Sequence, residues 1–231
     1  TPLYSSAASD VYKRQGPKNS AKRYFSTGPI GEFEQMYQKS KDTRWHQDKD
    51  PERLDCKLSI SIIQHFYRGG RILELGTGLG FFGNMIENNV ENAAILGTDI
   101  SKTAVTEAGK KFPRIAFKVH DLTVPVAESS LAGEEFDFVV LRGCIWYLFP
   151  QMERVVENIA ALTAPGGNLF VSQNFPPLDA QFCGKEVVPS PEALQRYFNG
   201  DFKIVASTIF NDRSSQGGND LWCMFVGEKP R

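Results

Sequence analysis

The sequence Ile72-Leu73-Glu74-Leu75-Gly76-Thr77-Gly78-Leu79-Gly80 decides the fold of this chain. Its apolar start predicts a strand over Arg71–Leu75, and the glycines that follow predict a tight turn into a helix over Gly80–Asn88. A strand, a glycine-rich turn and a helix in this order are typical of the first unit of a parallel α/β sheet. Such sheets bind ligands beyond the carboxyl ends of their strands. The sequence therefore predicts a ligand site at this turn.

Strands and helices alternate around this unit. A preceding helix is predicted to begin with Asp50 as N-cap and Pro51 in the first turn, and to end at Gly69-Gly70. The further predicted strands are Ala93–Asp99, Ile115–His120, Phe136–Leu141 and Gly167–Ser172, and the further helices are one capped by Ser101 and reaching Phe112, Gln151–Leu162 and Pro191–Asn199. This alternation indicates right-handed βαβ units with helices on both faces of the sheet.

The end of the chain breaks the alternation. Two strand-like segments, Phe202–Phe210 and Leu221–Gly227, follow each other directly. The linker between them, Asn211–Asp220, is too short and too rich in Ser, Gly and Asn for a crossover helix, so the two strands must pair antiparallel. The predicted fold class is a Rossmann-like, doubly wound α/β sheet of seven strands, mostly parallel, with a C-terminal antiparallel β-hairpin.

Composition sets the broad class of the protein. The 231 residues suffice for one sizeable α/β domain, and 41% of them are hydrophobic. The net charge of −1 gives no field toward nucleic acid, and no apolar run has the roughly 20 residues that span a bilayer. The cysteines form no CxxC pair, which predicts neither a zinc site nor a disulfide framework and favours a reduced, cytoplasmic setting; they are Cys56, Cys144, Cys183 and Cys223.

Three segments are predicted along the chain. Residues 1–15 resemble translated adapter sequence from gene assembly and are left out of the fold prediction. The basic residues that follow, Lys18, Lys22 and Arg23, are interpreted as a solvated tail. Residues 16–50 are polar with interspersed aromatics and are predicted to form an N-terminal lid, and residues 51–231 form the main domain.

The glycine turn fits two cofactor patterns. Gly78–Gly83 satisfies the dinucleotide pattern G-x-G-x-x-G, but that pattern should begin directly after the strand, where Gly76 stands instead. Glu74, at the end of the strand, also disfavours a pyrophosphate, because a carboxylate facing a phosphate costs energy. It suits a ligand that carries an ammonium group.

Acidic residues also follow the next two strands. Asp99 is placed to accept hydrogen bonds from both hydroxyls of a ribose, and Asp121 could accept one from an exocyclic amine such as that of adenine. Together with Glu74 they lie along one edge of the predicted sheet in the order amino acid, ribose, base.

These motifs resemble those of class I S-adenosylmethionine-dependent methyltransferases over about residues 50–228. The resemblance implies that Glu74 and the glycines hold the methionine end of the cofactor, Asp99 the ribose and Asp121 the adenine. Its full set of implied cofactor-binding residues is Glu74, Gly76, Thr77, Gly78, Gly80, Asp99, Ile100, Asp121, Leu122 and Arg142. The motifs that carry it further along the chain are Thr98-Asp99-Ile100-Ser101, His120-Asp121-Leu122, Phe136–Val140 and Leu162–Gly167. S-adenosylmethionine would be the cofactor and S-adenosylhomocysteine its product.

Aromatic residues are the candidates for the acceptor site. The segment with Tyr37, Lys41-Asp42 and Trp45 is similar to a lid in small-molecule enzymes of the nodulation N-methyltransferase type, although Thr43-Arg44 stands where a proline is expected. The candidate acceptor-binding residues are Tyr37, Trp45, Cys144, Trp146 and Tyr147. Methyl transfer from an activated sulfonium needs alignment and exclusion of water more than a catalytic dyad, so catalysis by proximity is expected.

Histidines and Tyr37 complete the list of candidates. His46 and Tyr37 are weak candidates for a catalytic group, since histidine titrates near neutral pH. His120 is expected in the core or on the surface, because side chains alternate along a strand and at most one of His120 and Asp121 can then face the cofactor.

The loop after the fourth strand argues against a nucleobase acceptor. It reads Leu141-Arg142-Gly143-Cys144 and lacks the Asn/Asp-Pro-Pro-aromatic motif, and the stretch Asn174-Phe175-Pro176-Pro177 lies in the wrong place for it, after the predicted fifth strand. The predicted function is therefore methyl transfer to N or O of a small molecule, by a monomer or homodimer without a metal. Methylation of a protein or peptide, a non-catalytic cofactor-binding subunit and a nicotinamide-dependent oxidoreductase remain the alternatives.

Overall fold

The computed structural model describes residues 31–39, 43–179, 184–213 and 220–231. The predictions for the first 15 residues, for the basic tail and for Lys41-Asp42 lie outside these residues, as does the side chain of Trp45. Among the described residues no helix is both long and apolar enough to cross a bilayer.

The described elements alternate as predicted. The helices are α1 (Gly31–Lys39), α2 (Leu54–Phe66), α3 (Phe81–Asn89), α4 (Lys102–Lys111), α5 (Met152–Leu162) and α6 (Pro191–Phe198). The strands are β1 (Arg71–Leu75), β2 (Ala94–Asp99), β3 (Ala116–Val119), β4 (Phe136–Arg142), β5 (Thr163–Phe175), β6 (Lys203–Asp212) and β7 (Asp220–Glu228). A 3-10 helical segment, Arg44–Glu52, lies between α1 and α2.

All seven strands form one sheet in the order β3-β2-β1-β4-β5-β7-β6. The chain runs outward from β1 to β3 and then returns to place β4 on the other side of β1, and these neighbours pair parallel. The carboxyl ends of β1 and β4 are therefore the switch point of the sheet, where a cleft opens for a ligand. This arrangement confirms the predicted fold class.

The C-terminal hairpin is confirmed as well. β7 pairs antiparallel with β6 along its length and antiparallel with β5 on its other side. β5 is longer than predicted, because it continues through Gln173 and Asn174 in register with β7. The stretch Asn174-Phe175-Pro176-Pro177 thus begins inside β5 rather than after it.

Helices cover both faces of the sheet. On one face α5 and α6 bury Val155, Ile159 and Leu194 against β4 and β5. On the other, α2 and α3 bury Ile63 and Ile86 against Ile72 and Phe138. Helix α1 packs on α4 through Met36, Tyr37 and Ala104. The helices thus cover both apolar faces of the sheet, and α1 and the 3-10 segment lie at the carboxyl edge of the strands.

The predicted start of the first helix of the domain is wrong. Asp50 and Pro51 belong to the 3-10 segment, and α2 begins at Leu54, because Arg53 between them has an extended backbone with ψ 138°. The carboxylate of Asp50 points to Arg142 and Arg53 instead of capping a helix. By contrast, the Ser101 cap is confirmed, since Ser101 Oγ accepts a hydrogen bond from the Ala104 N–H.

Candidate active site

The glycine turn has the left-handed backbone that its sequence predicts. Gly76, Gly78 and Gly80 have φ values of 70°, 57° and 79°, a region that other residues rarely enter. The Thr77 N–H donates to Thr98 O at 2.8 Å and so ties the turn to the end of β2. A side chain on Gly78 would meet Gln47 and the hydroxyl of Tyr37 within 3 Å. The turn is therefore shaped for close approach of another group to its backbone.

Glu74 lies beneath the turn rather than on its surface. Its side chain is 3% exposed, and its Oε2 accepts a hydrogen bond of 2.6 Å from the Thr77 hydroxyl. Burial raises its pKa to about 7, although the Thr77 hydrogen bond opposes the shift. Near neutral pH this carboxyl can therefore gain or lose a proton when a charged group arrives nearby.

Asp99 joins the end of β2 to the glycine turn. Its Oδ2 accepts from the Gly78 N–H and its Oδ1 from the Ser101 N–H, both at 2.9 Å. Burial raises the pKa of Asp99 although these hydrogen bonds oppose the shift. Each carboxylate oxygen keeps a further lone pair for a donor from the cavity, which is what recognition of a ribose would use.

His120 and Asp121 both border the cavity, so the expected alternation between them does not hold. The reason is that β3 ends at Val119, which leaves both residues beyond the strand. Asp121 accepts hydrogen bonds from the N–H and the hydroxyl of Thr123 at 2.9 and 2.7 Å. The His120 ring is buried, and neither of its nitrogens has a hydrogen-bond partner among the described residues. Burial lowers its pKa, which favours the neutral imidazole.

The N-terminal segment covers the carboxyl edge of the sheet. In α1, Glu34 accepts hydrogen bonds from the hydroxyls of Ser101 and Thr103 at 2.7 and 2.6 Å. The Phe33 ring meets Tyr147 edge-on, with the centroids 4.9 Å apart. Gln47 Oε1, in the 3-10 segment, accepts from the Leu79 N–H at 2.9 Å. The segment thus contacts α4, the loop after β4 and the glycine turn, as a lid would.

A cavity of about 1030 Å³ lies between this lid and the sheet edge. Many predicted site residues border it: Gly76, Asp99, Ile100, Asp121, Leu122 and Arg142 of the cofactor set, and Tyr37, His46, Cys144 and Tyr147 of the acceptor and catalytic candidates. Glu74, Thr77, Gly78 and Gly80 are not among the residues that line it. The structure therefore brings most of the described candidates to one cavity.

Trp146 is the exception among the acceptor candidates whose side chains the structure describes. Its ring packs edge-on against Phe149 and Phe175, with centroids 5.2 and 5.5 Å away, and it is not part of the cavity wall. Its Nε1–H donates to Asn174 Oδ1 at 3.4 Å. Trp146 is a packing residue that shapes the loop after β4, while its neighbour Tyr147 faces the cavity.

An ion-pair cluster forms the wall beside β4. Arg142 Nη2 donates to Asp55 Oδ2 at 2.7 Å, and its Nη1 lies 3.4 Å from Asp50 Oδ2. Arg53 Nε donates to Asp55 Oδ1 at 2.9 Å. Burial alone would raise the pKa of Asp55, but the guanidinium groups of Arg142 and Arg53 hold it below its ordinary value. Burial raises the pKa of Asp50 despite the same two neighbours.

Sequence reasoning missed several residues of this wall. They are Gln47, Asp50, Asp55, Asp212 and Trp222. Asp50 was interpreted as a helix cap, and its proximity to the other acids in sequence was the one available signal. Asp212 and Trp222 come from the hairpin, and only the pairing of β6 with β7 brings them to the site.

Comparisons with known proteins agree with this geometry. Residues 73–169 match a family described as a methyltransferase domain. The chain is 27% identical to the ribosomal RNA small subunit methyltransferase C of Haemophilus influenzae over 66% of its own length and 43% of that protein. It is also 27% identical to the polyketide synthase ALT1 of Alternaria alternata over 46% of its length and 4% of that protein. The chain thus spans less than half the length of these two curated relatives.

A solved structure matches over nearly its whole length. The N-methyltransferase NodS of Bradyrhizobium japonicum, in complex with S-adenosylhomocysteine, superimposes with a TM-score of 0.65 at 17% identity, over 86% of this chain and 98% of that one. At this identity the likeness shows the shared fold. Residues 73–169 thus carry a methyltransferase domain, and the described fold is the Rossmann-like fold of class I S-adenosylmethionine-dependent methyltransferases.

S-adenosylmethionine is accordingly the cofactor of this methyltransferase domain. The described residues fit it. Glu74 beneath the turn suits an ammonium group, and the left-handed glycines leave the backbone open to a methionine chain. At the β3 end of the same cavity, the buried nitrogens of His120 and the carboxylate oxygens of Asp121 can form hydrogen bonds with polar groups of the adenine.

Proposed function

We propose that this domain transfers the methyl group of S-adenosylmethionine to a nitrogen or oxygen atom of a small molecule. The observation that supports the proposal is the lidded cavity of about 1030 Å³. Its volume is at the upper end of the roughly 300–1000 Å³ of ligand pockets, which suits a cofactor together with a small acceptor. An extended peptide or a nucleic acid would need an open groove. The net charge of −1 also gives no attraction to nucleic acid.

The residues act mainly by placing the two reactants. The cofactor supplies an activated methyl group. Asp99 and the glycine turn hold one side of the cavity in a fixed shape through the Gly78 and Ser101 hydrogen bonds. The lid residues Tyr37 and Gln47 close over the turn and exclude water, which favours in-line transfer in a dry site. No group needs to form a covalent bond with the acceptor.

Localisation and assembly remain part of this proposal. The described cysteines Cys56, Cys144 and Cys223 are free thiols, which fits a reducing, cytoplasmic setting. Burial raises the pKa of Cys144 to about 12, so the thiol that borders the cavity is a poor nucleophile. A monomer or a homodimer is compatible with a site built from one chain.

Methyl transfer can be tested with a metabolite screen. The chain is incubated with methyl-labelled S-adenosylmethionine and a small-molecule extract, and the fractions that gain label are identified by mass spectrometry. We expect label in one or a few compounds of low mass. If label appears only in protein or only in RNA added in parallel, the acceptor is that macromolecule and not a small molecule. Binding of S-adenosylhomocysteine without transfer to any acceptor would indicate a non-catalytic subunit.

A further inference from the structure

Asp50 is a buried carboxylate in the cavity wall, and one of its two oxygens has no hydrogen-bond partner among the described residues. Its side chain is 1% exposed, and the oxygen without a partner is Oδ1. Arg53 Nη1 is 3.7 Å from that oxygen, and Arg142 Nη1 is 3.4 Å from the other. Both distances exceed the roughly 2.7–2.9 Å of a strong charge-assisted hydrogen bond. Asp50 therefore has capacity for a cationic donor.

The two arginines are engaged with Asp55 instead. Arg142 contacts Asp55 at 2.7 Å and Arg53 contacts it at 2.9 Å, so Asp55 takes the short contact of each guanidinium. The charge of Asp50 is less well compensated, and burial accordingly raises its pKa. A buried charge that its neighbours compensate poorly attracts an opposite charge from a ligand.

Asp50 lies at the β4 side of the site, which we interpret as the side where the acceptor binds. Arg142, which it approaches, ends β4, whereas the glycine turn, Asp99 and Asp121 follow β1, β2 and β3 on the other side. The same wall carries the aromatic rings of Tyr147 and Trp222, whose faces attract cations. This end of the cavity thus presents the Asp50 carboxylate and aromatic rings beside the guanidinium groups of Arg53 and Arg142, and Arg53 Cζ lies 5.6 Å from the centroid of the Trp222 ring.

We propose that the acceptor is an amine, and that Asp50 binds its ammonium group and takes one proton from it. This inference rests on the proposed methyltransferase function and narrows its acceptor from nitrogen or oxygen to an amine nitrogen. An alcohol fits less well, because a carboxylate is too weak a base to deprotonate an aliphatic hydroxyl group.

The proton transfer follows from burial. When an ammonium–carboxylate pair is enclosed, the low dielectric favours the neutral pair of amine and carboxylic acid. The proton passes from nitrogen to Asp50, and the lone pair thus freed forms the new C–N bond to the methyl carbon. The C–S bond breaks at the same time and its electron pair stays on sulfur. The products are a methylated ammonium ion and S-adenosylhomocysteine, and the proton on Asp50 returns to solvent.

The test uses the full chain and chemical blocking of amines. The small-molecule extract is offered with labelled cofactor, with and without prior treatment with N-hydroxysuccinimidyl acetate, which acetylates primary and secondary amines in water. We expect the treatment to abolish labelling. Label that persists after treatment in a compound without a tertiary amine would overturn the amine proposal and leave the methyltransferase function intact. If no compound gains label from either extract, the proposed function fails, and this inference fails with it.

Substitution of Asp50 tests its role. We expect Asp50→Asn to lower kcat/KM for the labelled compound about 10- to 100-fold, the value of a lost hydrogen bond between charged groups. The affinity for S-adenosylhomocysteine, measured by calorimetry, should stay within about twofold. Asp48→Asn changes an exposed carboxylate of the same 3-10 segment outside the cavity wall and is the matched control.

Two results of the substitution would overturn the assignment. A loss of S-adenosylhomocysteine affinity in Asp50→Asn would assign Asp50 to the ammonium group of the cofactor. Unchanged kcat/KM would remove it from the site altogether. Circular dichroism checks that the variant folds, and Asp50→Ala, which also removes the carboxylate, provides the comparison if Asp50→Asn does not fold. We expect Asp50→Glu, which keeps the charge, to retain more activity than Asp50→Asn.

Discussion

Glu74 gives the sharpest prediction for stability, because its carboxyl is buried and carries a strongly shifted pKa. Burial raises that pKa from 4.5 to about 7. A raised pKa means that the folded state binds the proton more tightly than the unfolded state. The stabilisation of the folded state by the protonated Glu74 carboxyl is therefore complete below about pH 4.5 and is lost as the pH rises to 7. Above that range the folded chain carries an ionised carboxylate beneath the turn.

The size of the effect follows from the shift. Each pKa unit corresponds to about 1.4 kcal/mol, so the shift corresponds to about 3 kcal/mol in total, of which about 2 to 3 kcal/mol falls between pH 5 and pH 8. Glu74→Gln keeps the shape and the hydrogen bond to Thr77 but cannot ionise. We expect the free energy of unfolding of Glu74→Gln to rise relative to the wild type by that amount between the two pH values.

Urea unfolding of the cofactor-free chain at pH 5, 6, 7 and 8 measures this difference. Glu87→Gln, which removes the carboxylate that pairs with Arg114, is the control, and its difference from the wild type is measured at the same four pH values. A constant difference between Glu74→Gln and the wild type from pH 5 to pH 8 would refute the reasoning. Calorimetry adds a linked test. If Glu74 serves the ammonium group of the cofactor, binding of S-adenosylhomocysteine near pH 6 should release a proton, and the heat should depend on the buffer.

Further predictions concern the turn and the lid. Asp99→Asn should weaken binding of S-adenosylhomocysteine about 10- to 100-fold in calorimetry. A 2′-deoxy analogue of the ligand should lose little further affinity on the Asp99→Asn variant, because both changes remove the same hydrogen bond. Additive losses of affinity would contradict a contact between Asp99 and the ribose. Gly78→Ala should lower the free energy of unfolding in urea by about 1–2 kcal/mol, because the backbone is left-handed at this position. The new methyl group should also displace Gln47 and so weaken the binding of S-adenosylhomocysteine. Wild-type affinity of the variant would argue against a lid packed on the turn. Alanine at both Tyr37 and Trp45 should reduce turnover of the labelled acceptor, and unchanged turnover would exclude a lid function.

The sheet could be predicted from the sequence because its signals are local. Each strand of the parallel part is a short apolar run next to a glycine or an acid, and Arg71–Leu75 lies where it was predicted. The same local information placed Asp99 and Asp121 at strand ends. The hairpin followed from the composition of its linker alone.

The errors arose where a tertiary contact outweighs a local pattern. Asp50 has the sequence context of a helix cap, but Arg142, 92 positions later in the chain, determines where its carboxylate points. The side chains of His120 and Asp121 would alternate if β3 continued through both of them, but β3 ends at Val119. Trp146 and Tyr147 are adjacent aromatic residues, and the sequence does not indicate which of them faces the cavity. The packing of Trp146 against Phe149 and Phe175 decides this. Such contacts between distant positions cannot be derived from one sequence.

Binding of the cofactor is the most direct test of the account. The full chain is titrated in a calorimeter with S-adenosylhomocysteine and, separately, with NADH. The geometry of the glycine turn, Glu74 and Asp99 predicts binding of S-adenosylhomocysteine at one site per chain, weakened by Asp99→Asn, and no heat from NADH. Tight binding of NADH with no binding of S-adenosylhomocysteine would contradict the assignment of the cavity.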